Sequence, residues 1–176
     1  MNASDWDQGM DAGELKYMAG DPVAAAEGFA ATRSAAGYPL DFSLASLETQ
    51  VDRLLVLPIF RHGRERLPTD AEERNEAALA AYIGETLRRL FSGEWIGSFY
   101  PRSLALNFYE SFVMFGDFRF EPHLFVGYRL TNGEGEGSFR SYLRSVLPRI
   151  EARIPAGDPH VNPQGLGVIT PPASGE

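Results

Sequence analysis

The residues best placed to do chemistry together are Glu85, Glu94 and Trp95, within the stretch YIGETLRRLFSGEW at positions 82–95. Two carboxylates beside an aromatic ring can divide general-acid and general-base work when their surroundings split their pKa values. The same spacing has a structural reading. Glu85 precedes Arg89 by four residues, the favourable order for an ion pair on a helix face, and Glu94 follows Ser92-Gly93 in a turn that water can reach. On that reading Trp95 enters the core at the start of a strand.

Other chemistry is sparse. The three histidines, His62, His123 and His160, fall in a loop, at a strand start and in a tail, and no pair has the spacing of helical metal ligands. Glu121-Pro122-His123 sets two potential ligands two apart, but a third is not evident, so no metal and no cofactor is expected. No serine sits in a G-x-S-x-G elbow. The stretch Gly133-Glu134-Gly135-Glu136-Gly137 precedes a helix as a phosphate cradle does, but it lacks the lysine and carries two glutamates that repel phosphate. A flexible acidic connector suits it better. With no cysteine in the chain, disulfides, thiolate catalysis and cysteine-held metal are excluded.

The net charge of −8 repels phosphate backbones and anionic lipid, so neither nucleic acid nor a membrane surface is an expected partner. The densest basic run, Arg61-His62-Gly63-Arg64-Glu65-Arg66, is followed closely by Asp70, Glu72 and Glu73 and reads as a solvated loop. No stretch of about 18 apolar residues exists to cross a bilayer. The first 20 residues also lack the basic and apolar regions of a secretory signal, which makes the cytoplasm the expected location.

The elements that must position these residues follow from periodicity and capping. At 176 residues the chain suits one domain with tails. Residues 1–20 are polar, with at most a short helix around Ala12–Ala19. Asp21 is an N-cap with Pro22 at the first helical position, and that helix runs to Gly37 with a small face of Val23, Ala26 and Ala30. Asp41 or Ser43 caps a second helix whose stripe is Leu44, Leu47, Val51, Leu54 and Leu55, with Pro58 as its stop. Thr69-Asp70-Ala71-Glu72 is a capping box, opening a third helix from about Asp70 to Phe91. Gly84 lies on the flank of its apolar arc, where a glycine costs about 1 kcal/mol relative to alanine unless something approaches closely.

From Gly93 the period becomes extended. Trp95–Tyr100, Leu104–Phe108, Phe112–Phe115 and Leu124–Leu130 read as strands, the last because Leu124, Val126, Tyr128 and Leu130 alternate with the residues between them. Ser138 caps a final helix burying Phe139, Tyr142, Leu143, Val146 and Ile150, with Pro148 as a kink or an early stop. The expected fold is α+β: N-terminal helices packed on an antiparallel sheet of four or five strands, closed by a C-terminal helix. It spans residues 21–154, before a tail at 155–176 with five prolines and four glycines.

Three segments, LDFSLASLETQVDRLL, YIGETLRRLFSGEW and EPHLFVGYRLTNGEGEGSFRSYL, together resemble a loose group of small uncharacterised bacterial domains. The shared features are the capped helix after Asp-x-Ser, the YxGE…GxW helix-to-strand junction, and Arg-Leu-x-Asn-Gly before the last helix. The resemblance covers roughly Tyr38 to Ile150. It implies the architecture and carries no activity.

Nine aromatics between Trp95 and Phe120 exceed what one face of a small sheet needs. Some are expected on the second face as a binding platform, since aromatics concentrate at interface centres. The leading functional expectation is therefore a non-catalytic protein-binding module of immunity or adaptor type, with a basic protein as its complement. Its candidate binding residues are Glu85, Glu94, Trp95, Tyr100, Tyr109 and Arg129. The alternative is an enzyme or small-molecule binder with a pocket between the third helix and the sheet, lined by Glu85, Glu94, Trp95 and Arg129.

Overall fold

A computed structural model describes residues 21–60, 69–97, 111–132 and 137–154. The expected helix near Ala12–Ala19, the arginine-bearing loop at 61–66, the expected strand Leu104–Phe108 and the tail at 155–176 lie outside the described residues. So does residues 133–136 of the acidic connector.

The described chain runs α1 (Pro22–Ala35), α2 (Leu44–Leu55), a short 3-10 turn (Pro58–Phe60), α3 (Asp70–Phe91), β1 (Glu94–Gly97), β2 (Ser111–Phe115), β3 (Phe118–Phe120), α4 (Pro122–Asn132) and α5 (Phe139–Glu151). Among the described residues, five helices and one antiparallel sheet ordered β1-β2-β3 make an α+β fold. Trp95 lies opposite Val113, and Val113 opposite Phe120.

The caps form where the sequence places them. Asp21 accepts from the Val23 and Ala24 amides at 2.9 and 3.2 Å. Ser43 accepts from the Ser46 amide at 3.0 Å. Thr69 and Glu72 complete the reciprocal box at the head of α3. The last helix borrows a cap from a distance. Besides Ser138, the Asp52 carboxylate of α2 accepts from the Phe139 amide at 2.7 Å, setting a negative charge on the positive end of α5.

Helix α3 is the spine. Leu79, Tyr82, Ile83 and Leu87 are fully buried in one continuous core with Leu47, Val51 and Leu54 of α2, Val113 and Phe120 of the sheet, Val126 of α4, and Phe139, Leu143 and Ile150 of α5. Alanines 25, 26 and 30 give α1 a smooth face against α3, and the buried Arg33 reaches across to Asn75 at 2.5 Å. Gly84 is where α3 meets the sheet. A Cβ there would fall 2.4 Å from the far edge of the Trp95 ring and 3.1 Å from Pro122.

Two expectations need correction. The described sheet has three strands, not four or five, and Leu124–Leu130 is helical, within α4. The reason lies in the spacing. Residues four apart share a strand face and also one helical stripe, so Pro122, Val126 and Leu130 serve a buried helix face as well as they would an alternating strand. Pro122 decides it, since proline is preorganised for a first helical turn and supplies no ladder donor. Pro148 stays inside α5, which continues to Glu151.

Candidate functional site

The junction of α3 and β1 brings Glu85 and Trp95 together, as their spacing allows. Glu85 is fully buried, and its carboxylate accepts four hydrogen bonds. Oε1 takes Arg88 Nη2 at 2.9 Å and Arg89 Nε at 2.7 Å; Oε2 takes Arg88 Nε at 2.7 Å and Trp95 Nε1 at 3.0 Å. Burial alone would raise its pKa, but the hydrogen bonds from Arg88, Arg89 and Trp95 outweigh it and hold the carboxyl below the usual carboxylate range. A carboxylate with four donors has no lone pair left for a substrate proton. Arg89 also pairs with Glu27 of α1 at 2.6 Å and lies 4.0 Å over the Phe42 ring. The cluster is an internal tie between α1, α3 and the sheet.

Glu94 does not join it in an enclosed site, being exposed on β1. Arg129 lies on α4 in a different depression, and Tyr100 and Tyr109 lie outside the described residues. The α3–sheet contact at Gly84 is occupied by the Trp95 ring, which leaves no space for a ligand at that point.

At the start of α4, His123 is 2% exposed. Burial, helped by the positive charge of Arg119 and opposed by a hydrogen bond with the Ser111 backbone, pushes its pKa down to about 4. The imidazole is neutral at pH 7. Glu121 lies 3.7 Å from its Nε2, but that carboxylate is held by Arg119 at 2.5 Å. Among the described residues no three histidine, aspartate or glutamate side chains gather as metal ligands, and no helix is long and apolar enough to cross a membrane.

The aromatic face of the sheet is inward. Phe115, Phe118 and Phe120 are buried, and Phe112 is half-buried beneath the Arg119 guanidinium at 3.8 Å. Phe99, Tyr100, Phe108 and Tyr109 lie outside the described residues.

What is open lies elsewhere. Leu124 and Tyr128, one turn apart on α4, are 51% and 58% exposed. Beside them a groove of about 630 Å³ runs between α4 and α5, lined by Leu124, Phe125, Tyr128, Arg129, Ser141 and Tyr142. Its floor is a packed aromatic cluster, in which Phe125 stacks on Tyr142 at 4.3 Å and meets Phe139 edge-on at 5.0 Å. The charged group at its wall is Arg129, which is 8% exposed and whose buried Nε meets no acceptor.

No family model, curated protein or solved structure matches this chain. The groove must therefore be interpreted from its own chemistry. Sequence reasoning singled out Arg129 but set it in a pocket with Glu85, and it passed over Leu124 and Tyr128 as strand residues. An i, i+4 apolar pair outside the buried stripe of a helix beginning at Pro122 was the signal that could have found them.

Proposed function

We infer that the protein is a non-catalytic protein-binding module, of immunity or adaptor kind, and that the α4–α5 groove with its Leu124–Tyr128 rim is its contact surface. The supporting observation is the exposure of these two large side chains beside a preformed, largely apolar groove. Large apolar side chains left open together mark interaction surfaces more often than lone exposed residues do. The chemistry-bearing groups favour the same reading: Glu85 is saturated by donors and His123 is buried and neutral. At long range the net charge of −8 favours a partner that is basic overall.

The test is affinity capture by the full chain, followed by reconstitution with the purified partner and titration calorimetry. Truncating a hot-spot side chain costs about 2 kcal/mol, so Leu124→Ser with Tyr128→Ser should weaken the complex at least roughly 30-fold. Both side chains are about half exposed and lie outside the buried stripe, so the variant should still unfold cooperatively on heating. Undiminished affinity in the double variant would refute this surface.

A further inference from the structure

Arg129 is the one groove residue whose burial the fold does not explain. A guanidinium is always charged, and proteins bury it against a carboxylate, a carbonyl or an aromatic face. The other arginines that tie described elements together have such partners. Arg88 and Arg89 hold Glu85, Arg33 holds Asn75, Arg119 holds Glu121, and Arg153 holds Asp117. Arg129 is more than nine-tenths buried, has no ion-pair partner among the described residues, and its Nε meets no acceptor. It lines a groove whose other walls are the apolar or aromatic Leu124, Phe125, Tyr128 and Tyr142, with Ser141 as the one other polar aliphatic residue, so Arg129 is the charged group of the lining. Removing one member of a buried ion pair normally costs a protein dearly, so a cation left in this state is poised for an acceptor from outside the fold.

We propose that the groove receives an acidic–apolar segment of a protein partner, with an aspartate or glutamate carboxylate on Arg129 and the neighbouring apolar side chain laid between Tyr128 and the Phe125–Tyr142 stack. This rests on the binding-module reading and supplies its recognition chemistry. Geometry favours a peptide over a compact organic acid. The apolar surface continues from the groove floor onto the Leu124–Tyr128 rim, so an occupant of one ring and one carboxylate would leave the rim uncovered. Charge supplies the selectivity. The overall acidity of the chain acts at distances that physiological salt screens within about 8 Å, whereas Arg129 acts at contact and in a partly dry site, where a charge-assisted, bidentate hydrogen bond is strong. A partner that is basic overall and carries one acidic–apolar motif satisfies both.

The experiment is a nitrogen-15 NMR titration of the full chain with the capped peptide Ac-Glu-Leu-Phe-NH2, its isostere Ac-Gln-Leu-Phe-NH2, and 4-phenylbutyrate. The glutamate peptide should give saturable shifts confined to the amides of α4 and the first turn of α5. The glutamine peptide should need at least ten times the concentration, and phenylbutyrate should bind more weakly than the glutamate peptide. Arg129→Met should erase the difference between the two peptides, Arg129→Lys should restore part of it, and Arg140→Met, which changes an exposed arginine of α5, should leave it intact.

Equal binding of the two peptides to the wild-type chain would overturn the carboxylate anchor. If Leu124→Ser still abolished that binding, the groove would stand as a contact surface. Phenylbutyrate binding more tightly than either peptide would overturn the peptide assignment in favour of a small organic acid. Absence of saturable shifts with any probe would overturn the proposal, while the binding-module reading would still answer to its own reconstitution test. If Arg129→Met does not fold, the comparison of the glutamate and glutamine peptides on the wild-type chain decides the matter alone.

Discussion

Acid should weaken this fold before the carboxylates protonate, and His123 is the reason. In the unfolded chain a histidine titrates near its ordinary value of 6.5, whereas in the fold His123 is held down to about 4. Between those values the unfolded state binds a proton that the native state refuses, so stability falls as the pH is lowered through the window. Below about pH 4 both states are protonated and the effect levels off. Each unit of displacement corresponds to about 1.4 kcal/mol, so the window removes roughly 3 kcal/mol, a large share of the ~5–15 kcal/mol by which proteins of this size are stable. The perturbation that isolates it is His123→Gln, which keeps an amide donor for the Ser111 backbone and cannot be charged. Urea unfolding at half-unit steps from pH 7 to pH 4 should show wild type losing about 3 kcal/mol relative to the variant, mostly between pH 6.5 and 4. Glu85 adds a separate loss. Its lowered pKa gives stability that is present above the ordinary carboxylate range and disappears as the pH falls through its folded value, in both proteins alike. Parallel pH curves for wild type and variant would refute the reasoning. So would a His123 ring resonance titrating near 6.5.

Two further substitutions test the frame that carries the groove. Gly84→Ala should lower stability by about 1–2 kcal/mol by thermal melting despite the better helix propensity of alanine, because the new methyl meets the Trp95 ring; the indole fluorescence should shift as the Trp95–Glu85 bond breaks. Asp52→Asn should cost about 1 kcal/mol by urea unfolding, since it weakens the charged cap that α2 gives to α5, and the loss should shrink as salt is added.

The helices were legible because their signals are local. Thr69 with Glu72, Asp21 with Pro22, and Ser138 before an apolar stripe each satisfy orphan amides within one turn, so no distant residue is needed to see them. The stripe Leu44, Leu47, Val51, Leu54 and Leu55 is buried in full. Residues 124–130 were not legible as a helix, because a spacing of four fits both periods and the alternation of Leu124, Val126, Tyr128 and Leu130 matched a strand. The site suffered from that mistake. A strand assignment puts Leu124 and Tyr128 on one face with Val126 and Leu130, and so hides that only the latter two are buried. The junction was half legible: the Glu85–Arg89 pair follows from spacing, whereas the donation from Trp95 depends on how β1 folds back across Gly84.

The saturation of Glu85 bears on how this sequence can change over generations. Four hydrogen bonds from three side chains converge on one fully enclosed carboxylate, so loss of the acid strands two guanidinium groups, and loss of a donor strands the acid. Few single steps lead away from such an arrangement without passing through a poorly folded intermediate. Positions 85, 88, 89 and 95 should therefore be inherited as a block in descendants of this chain and replaced together or not at all. Gly84 should travel with them for as long as position 95 carries an indole. The rim of the groove stands outside that enclosed cluster, and the half-exposed Leu124 and Tyr128 should diverge as a partner diverges.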